Sequence, residues 1–147
     1  MDETQGRFIK LLQQEADLLD NINILLSEET EVLKANDIQR LNDITDNKHQ
    51  LLNQLGTVDK QRQLYMEDGT LMNDDQFVSQ VEGVNSAIQK KLEQCHHLNT
   101  VNGGMIEIRQ QFNTRILNLL HGDTSNESTY SAKGTSNERN KNTIARI

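Results

Sequence analysis

At 147 residues the chain has the size of one domain, yet apolar residues make up only 34% of it and aromatics 3%, with no proline and no tryptophan. A compact enzyme of that length is usually richer in both, whereas long helices that bury one stripe and wet the rest need little of either, and without proline nothing breaks them. The formal net charge is −7, and residues 121–147 hold four basic and three acidic side chains, so the body carries about −8 and no Lys/Arg cluster; this excludes nucleic acid as its partner.

Residues 1–30 show no basic-then-apolar signal peptide. No run approaches the roughly 18 apolar residues of a membrane span. A lone Cys95 excludes an intramolecular disulfide. These features suit a cytoplasmic protein.

The spacing predicts a first helix over about 4–34. Its stripe runs Phe8, Leu11, Leu12, Glu15, Leu18, Leu19, Ile22, Leu25, Leu26, Glu29 and Leu33, at steps of three and four. Glu15 and Glu29 interrupt it and are expected at its edge with their stems packed. A second helix is expected over 37–66, with Asn36 as N-cap and Gln39 closing a capping box. Ile38, Leu41, Ile44, Lys48, Leu51, Leu52 and Leu55 keep a near-heptad rhythm. Asp68-Gly69 signals a turn, after which Leu71 and Met72 are placed over the end of the bundle.

Asn73 is a second candidate cap, and a third helix begins at 74 or, if Gly83 breaks it, at 84, and ends near 121. Val84–Leu120 holds the most regular stripe and is the expected organiser: Ala87, Ile88, Leu92, Cys95, Leu98, Asn102, Met105, Phe112, Ile116 and Leu119. Unbent, this helix would be about 70 Å long and would overhang partners of about 45 Å. Gly122 suits the left-handed position after a helix. The fold class is therefore all-α: an elongated antiparallel three-helix bundle with coiled-coil-like packing over residues 1–121. Residues 122–147 form a Ser/Thr/Asn-rich segment, expected to be flexible or to fold on a partner. Tyr130, Ile144 and Ile147 are its only candidate anchors.

No catalytic constellation emerges, and no metal, cofactor or small-molecule substrate is implied. Cys95, His96 and His97 are adjacent, so on a helix they diverge by about 100°. Glu93 with His96 is one Glu-x-x-His where a di-iron bundle repeats the motif. Asn99, Asn102 and Gly103 lie midway along the third helix. Asn is a poor helix-interior residue; here it would control register inside the bundle, or form a polar notch for a partner helix, with Gly103 permitting close backbone approach.

Three elements together resemble the FlgN-type flagellar export chaperones. One is LLxxExxxLxxxD, at Leu25, Leu26, Glu29, Leu33 and Asp37, continuing through Leu41, Ile44, Thr45, Lys48, Leu51, Leu52 and Leu55. Another is NxxNG, at Asn99, Asn102 and Gly103, with helix on to Leu119 and Leu120. The last is a sparse YxxxG, at Tyr130 and Gly134. The resemblance implies a small helical chaperone of the type III export pathway. Such a protein binds the C-terminal helical regions of hook–filament junction proteins, keeps them unpolymerised and delivers them to the export gate, its only approach to the membrane. It implies a cargo surface of Phe112, Ile116, Leu119, Leu120, Ile144 and Ile147, and Tyr130 as the gate contact. The alternative is a helical adaptor or coiled-coil oligomer that uses its stripes for self-assembly; whether the free protein is a homodimer stays open.

Overall fold

The computed structural model describes residues 2–67, 69 and 71–121, with Asn113 described in its backbone alone. Three helices make up the fold: α1, Glu3–Ala35; α2, Ile38–Met66; and α3, Asp75–Leu120. The chain runs up, down and up again, so α2 is antiparallel to α1 and α3 lies parallel to α1. Among the described residues there is no strand. The all-α bundle expected from the periodicity is present.

The organiser, however, is α1 and not α3. The backbone of α1 packs closely against both α2 and α3, while those two scarcely approach each other. The cause lies in the width of the α1 stripe. Phe8, Ile9, Leu12, Leu19, Ile22, Leu25, Leu26, Val32 and Leu33 are all buried, and these positions cover two adjoining faces of the helix, enough for a partner on each. In α2 the buried apolar set shrinks to Ile44, Leu55 and Val58. Ala87, expected on the α3 stripe, is exposed, whereas Ile88, Leu92 and Cys95 are buried.

The N-caps of α2 and α3 each differ from the expected one by one residue. Asp2 caps α1 in a full capping box with Gln5. Asn36 is not the N-cap of α2. It ends α1 in the left-handed conformation, φ 59°, ψ 37°, which Asn tolerates better than most residues. Asp37 is the α2 cap, its carboxylate accepting from the Arg40 N–H at 3.2 Å. Likewise Asp74, not Asn73, caps α3. In both pairs the carboxylate beside the amide takes the cap, and its negative charge suits the positive end of the helix. Gly83 does not break α3, which is one helix from 75 onward. Leu71 and Met72 pack over the end as expected: Leu71 joins the core, and its carbonyl accepts from Gln5 Nε2 at 3.3 Å. There Phe8 meets Tyr65 and Phe77 edge-on, with ring centroids 6.4 and 6.1 Å apart.

Candidate functional site

Two features of α3 adjoin each other along the helix: a buried polar layer in its middle and an exposed apolar end. The layer begins with Glu29 and Glu15. They were expected at the edge of the stripe, but each is 2% exposed. A carboxylate so deep needs a partner, and α2 supplies one for each. Arg62 Nε lies 3.1 Å from Glu15 Oε2, and Lys48 Nζ lies 3.5 Å from Glu29 Oε1. Arg62 also pairs with buried Asp59 on its own helix. Glu15, Ile22 and Glu29 are spaced by sevens on α1, as Lys48, Leu55 and Arg62 are on α2. A charged layer thus brackets each side of an apolar one in heptad register.

At Glu29 the layer takes in α3. Asn102, 1% exposed, donates from Nδ2 to Glu29 Oε1 and to the Leu26 carbonyl, both at 2.9 Å. Its Oδ1 accepts from the Thr30 hydroxyl at 2.7 Å. Lys48 Nζ donates to Asn99 Oδ1 at 2.8 Å. Glu29, Thr30, Lys48, Asn99 and Asn102 therefore tie all three helices together. Two of the sequence elements that suggested a family, distant in the chain, meet here. The register role expected of Asn99 and Asn102 has this geometry behind it. The docking notch does not: Asn102 is covered by α1. Gly103 is exposed, and a Cβ built on it would meet nothing within 4 Å, so it admits no close backbone approach within this fold.

The seam between α1 and α3 repeats by sevens as well. The carbonyls of Leu19, Leu26 and Leu33 accept from Cys95 Sγ at 3.7 Å, Asn102 Nδ2 at 2.9 Å and Arg109 Nη2 at 2.6 Å. Arg109 Nη1 also donates to Asn36 Oδ1 at 2.7 Å. The guanidinium thereby closes the C-terminus of α1, where a cation is favoured by the helix dipole. Cys95 is fully buried, and desolvation, with a smaller part from Asp20, pushes its thiol up to about 11. That is a core thiol and not a nucleophile.

Beyond Arg109, α1 has ended and α3 has not. Eleven more residues carry it about 16 Å further. The heptad seam continues without a partner among the described residues: Cys95, Leu98, Asn102, Met105 and Arg109 lead on to Phe112, Ile116 and Leu119 at the same steps of three and four. Phe112 is 60% exposed, Ile116 39%, Leu119 78% and Leu120 75%. Ile108 and Leu117 are also exposed and extend the same apolar end. The sequence reading passed over both, although Ile108 stands four residues before Phe112, a spacing that would have included it. Of the other expected site residues, Tyr130, Ile144 and Ile147 lie outside the described residues.

Among the described residues no group of His, Cys, Asp and Glu is placed to hold a metal ion. No described helix is long and apolar enough to cross a membrane. Comparison with curated proteins and with solved structures gives no match. A family model described as FlgN protein matches residues 1–138, nearly the whole chain and both features of α3. The chain belongs to the FlgN family, a family of flagellar export chaperones and not of enzymes.

Proposed function

We propose that this chaperone works in the cytoplasm on the hook–filament junction proteins. It binds their C-terminal helical regions through the free end of the α3 seam and through Ile144 and Ile147. It holds these subunits unpolymerised and hands them to the export gate, with Tyr130 as the gate contact. The single observation that carries the reading is the seam itself: one heptad stripe, packed on α1 as far as Arg109 and exposed, among the described residues, at Phe112, Ile116 and Leu119.

The chemistry suits a helical cargo. A cargo terminus that later polymerises is an amphipathic helix with nowhere to bury its stripe. Laid along the overhang, it would take the place α1 holds further down. Burying Phe112, Ile116, Leu117, Leu119 and Leu120 gives on the order of 10 kcal/mol before ordering and association costs. Those costs take back most of it, leaving moderate affinity, as a delivery protein that must release its cargo requires.

Calorimetric titration of a hook–filament junction protein into the full chain tests this. The exposed pair Ile116→Ala with Leu119→Ala should weaken binding at least tenfold while leaving the fold intact. Replacing Ile144 and Ile147 by Ser should weaken it separately. Unchanged affinity in the first variant would remove the overhang from the site. No binding by the parent chain would defeat the junction-protein reading. In that case sedimentation of the free protein shows whether the seam pairs with a second copy instead.

A further inference from the structure

The α1–α2 pair carries an open groove near each end, and the two grooves differ in charge. The one near the N-terminus of α1 is about 580 Å³ and is lined by Leu11, Leu64 and Tyr65 with Arg7 and Lys10. The one beside the α1–α2 turn is about 640 Å³. Its floor is Ile24, Val32 and Ala35, and its rim carries Glu28, Glu31 and Asp37 against a single Arg40. Ile24, one of its lining residues, is 60% exposed. Among the described residues Glu31 pairs with Lys34 at 3.5 Å, an exposed contact worth little in water. Neither groove belongs to the α3 seam.

The second groove lies at the end of the bundle where the last segment of the chain departs. Arg109 is bonded to Leu33 and Asn36 there, and α3 ends eleven residues later. Residues 139–147 read RNKNTIARI: three basic side chains, no acidic one, with Ile144 and Ile147 on either side of Arg146. The family match covers residues 1–138 and does not reach this segment. From Leu120 to Ile144 is a reach of up to about 80 Å, several times the length of the overhang.

We propose that residues 139–147 dock in cis on the acidic-rimmed apolar groove of Ile24, Val32 and Ala35. Ile144 and Ile147 cover the exposed Ile24 and Ala35, and Lys141 and Arg146 meet Glu28, Glu31 and Asp37. The basic groove at the far end rejects the same segment by charge. Tethering sets an effective concentration of about millimolar, so a contact too weak to form between separate molecules is populated within one. The inference concerns the free chain and does not rest on the identity of the cargo; because the same Ile144 and Ile147 are assigned to cargo above, bound cargo displaces the segment from the groove.

A spin label on Thr143→Cys in the full chain tests it. Cys95 needs no replacement, because a fully buried thiol with its pKa at about 11 stays unlabelled at neutral pH. In nuclear magnetic resonance spectra at low salt, amides at 24–35 and 37–40 should lose at least half their intensity. Those at 7–14 and 61–65 should keep theirs. Glu28→Lys with Glu31→Lys should restore the lost intensity, as should raising the salt about tenfold, since these charges are exposed to screening. Both variant positions lie on the exposed face, so the fold is retained. Equal broadening at both grooves, none at either, or broadening that survives charge reversal would overturn the proposal. So would broadening that appears equally when labelled chain is mixed with isotope-enriched unlabelled chain, because the contact would then lie between molecules.

Discussion

Leu92 and Leu119 are the same residue on the same helix, 27 positions apart, and their surroundings are opposite. Leu92 is 4% exposed in the core between α1 and α3; Leu119 is 78% exposed on the overhang. The stripe that carries them does not change character along the way. What changes is the length of the partner: α1 stops at Ala35, and the seam on α3 continues. One periodic pattern therefore does two jobs, and sequence periodicity alone cannot divide them. The boundary is set by where α1 is capped, which Asn36 and Arg109 decide together.

The largest expected effect breaks this comparison directly. Leu92→Ala leaves a cavity in a packed core and should cost about 3 kcal/mol. Leu119→Ala removes a side chain already in water and should change stability by less than about 0.5 kcal/mol. Urea unfolding of both variants measures it. Equal losses would mean that the end of α3 folds back on the bundle in solution.

A second prediction concerns the layer that fixes the closed half. Lys48→Met removes the cation beside Glu29 and leaves the carboxylate only the Asn102 amide among the partners described above. Breaking a buried pair can cost 3–5 kcal/mol, but Lys48 is 19% exposed and its ammonium stands 3.5 Å away. A loss of about 2 kcal/mol is expected. Replacing Glu29, Lys48 and Asn102 together by Leu, Met and Leu should recover most of it. If the layer fixes register, amide exchange in the triple variant speeds up along α3 even though stability returns.

The helices, their number and the stripe on α1 were legible because apolar residues at steps of three and four admit few other readings. The caps were misplaced by one residue because Asn-Asp pairs offer two capping side chains, and local geometry chooses the second. The burial of Glu15 and Glu29 was not legible. An acid on a stripe reads as an edge residue until Arg62 and Lys48 are seen at matching heptad steps on another helix. The central place of α1 was missed for a related reason: α3 has the cleaner stripe, but a helix packed on two sides shows a broader and less regular one. Phe112, Ile116 and Leu119 were legible as one stripe from their spacing, whereas Leu120 and the cargo role of all four came only with the family resemblance. That they stand free of the bundle follows only from where α1 ends.

A smaller effect sits at the start of the closed seam. In the folded chain desolvation holds the Cys95 thiol protonated up to about 11, against an ordinary value of 9.0. Between those values the unfolded chain releases its proton and the folded chain does not. The contribution is fully present below pH 9 and is lost as the pH rises toward 11. The loss reaches roughly 2 kcal/mol by pH 11. Lysine and tyrosine titrate in the same range, so the measurement is the difference between the parent and Cys95→Ala in urea stability from pH 8 to 11. That difference should shrink steadily across the window.

The smallest effect sits at the boundary itself. Asn36 combines a left-handed backbone with a side-chain bond to Arg109, and two substitutions separate these. Asn36→Gly keeps the conformation at less strain and gives up only the exposed bond, so stability should move by less than about 0.5 kcal/mol. Asn36→Ala gives up the bond and also meets the left-handed penalty, and should cost about 1 kcal/mol. In both variants Arg109 retains the Leu33 carbonyl at 2.6 Å, so the end of α1 stays closed and the overhang begins at the same residue. Cargo affinity should then be the same in both despite their different stabilities. If affinity instead follows the loss at Asn36, the boundary is not a fixed stop but a fraying point, and the free seam reaches further down α3 than Phe112.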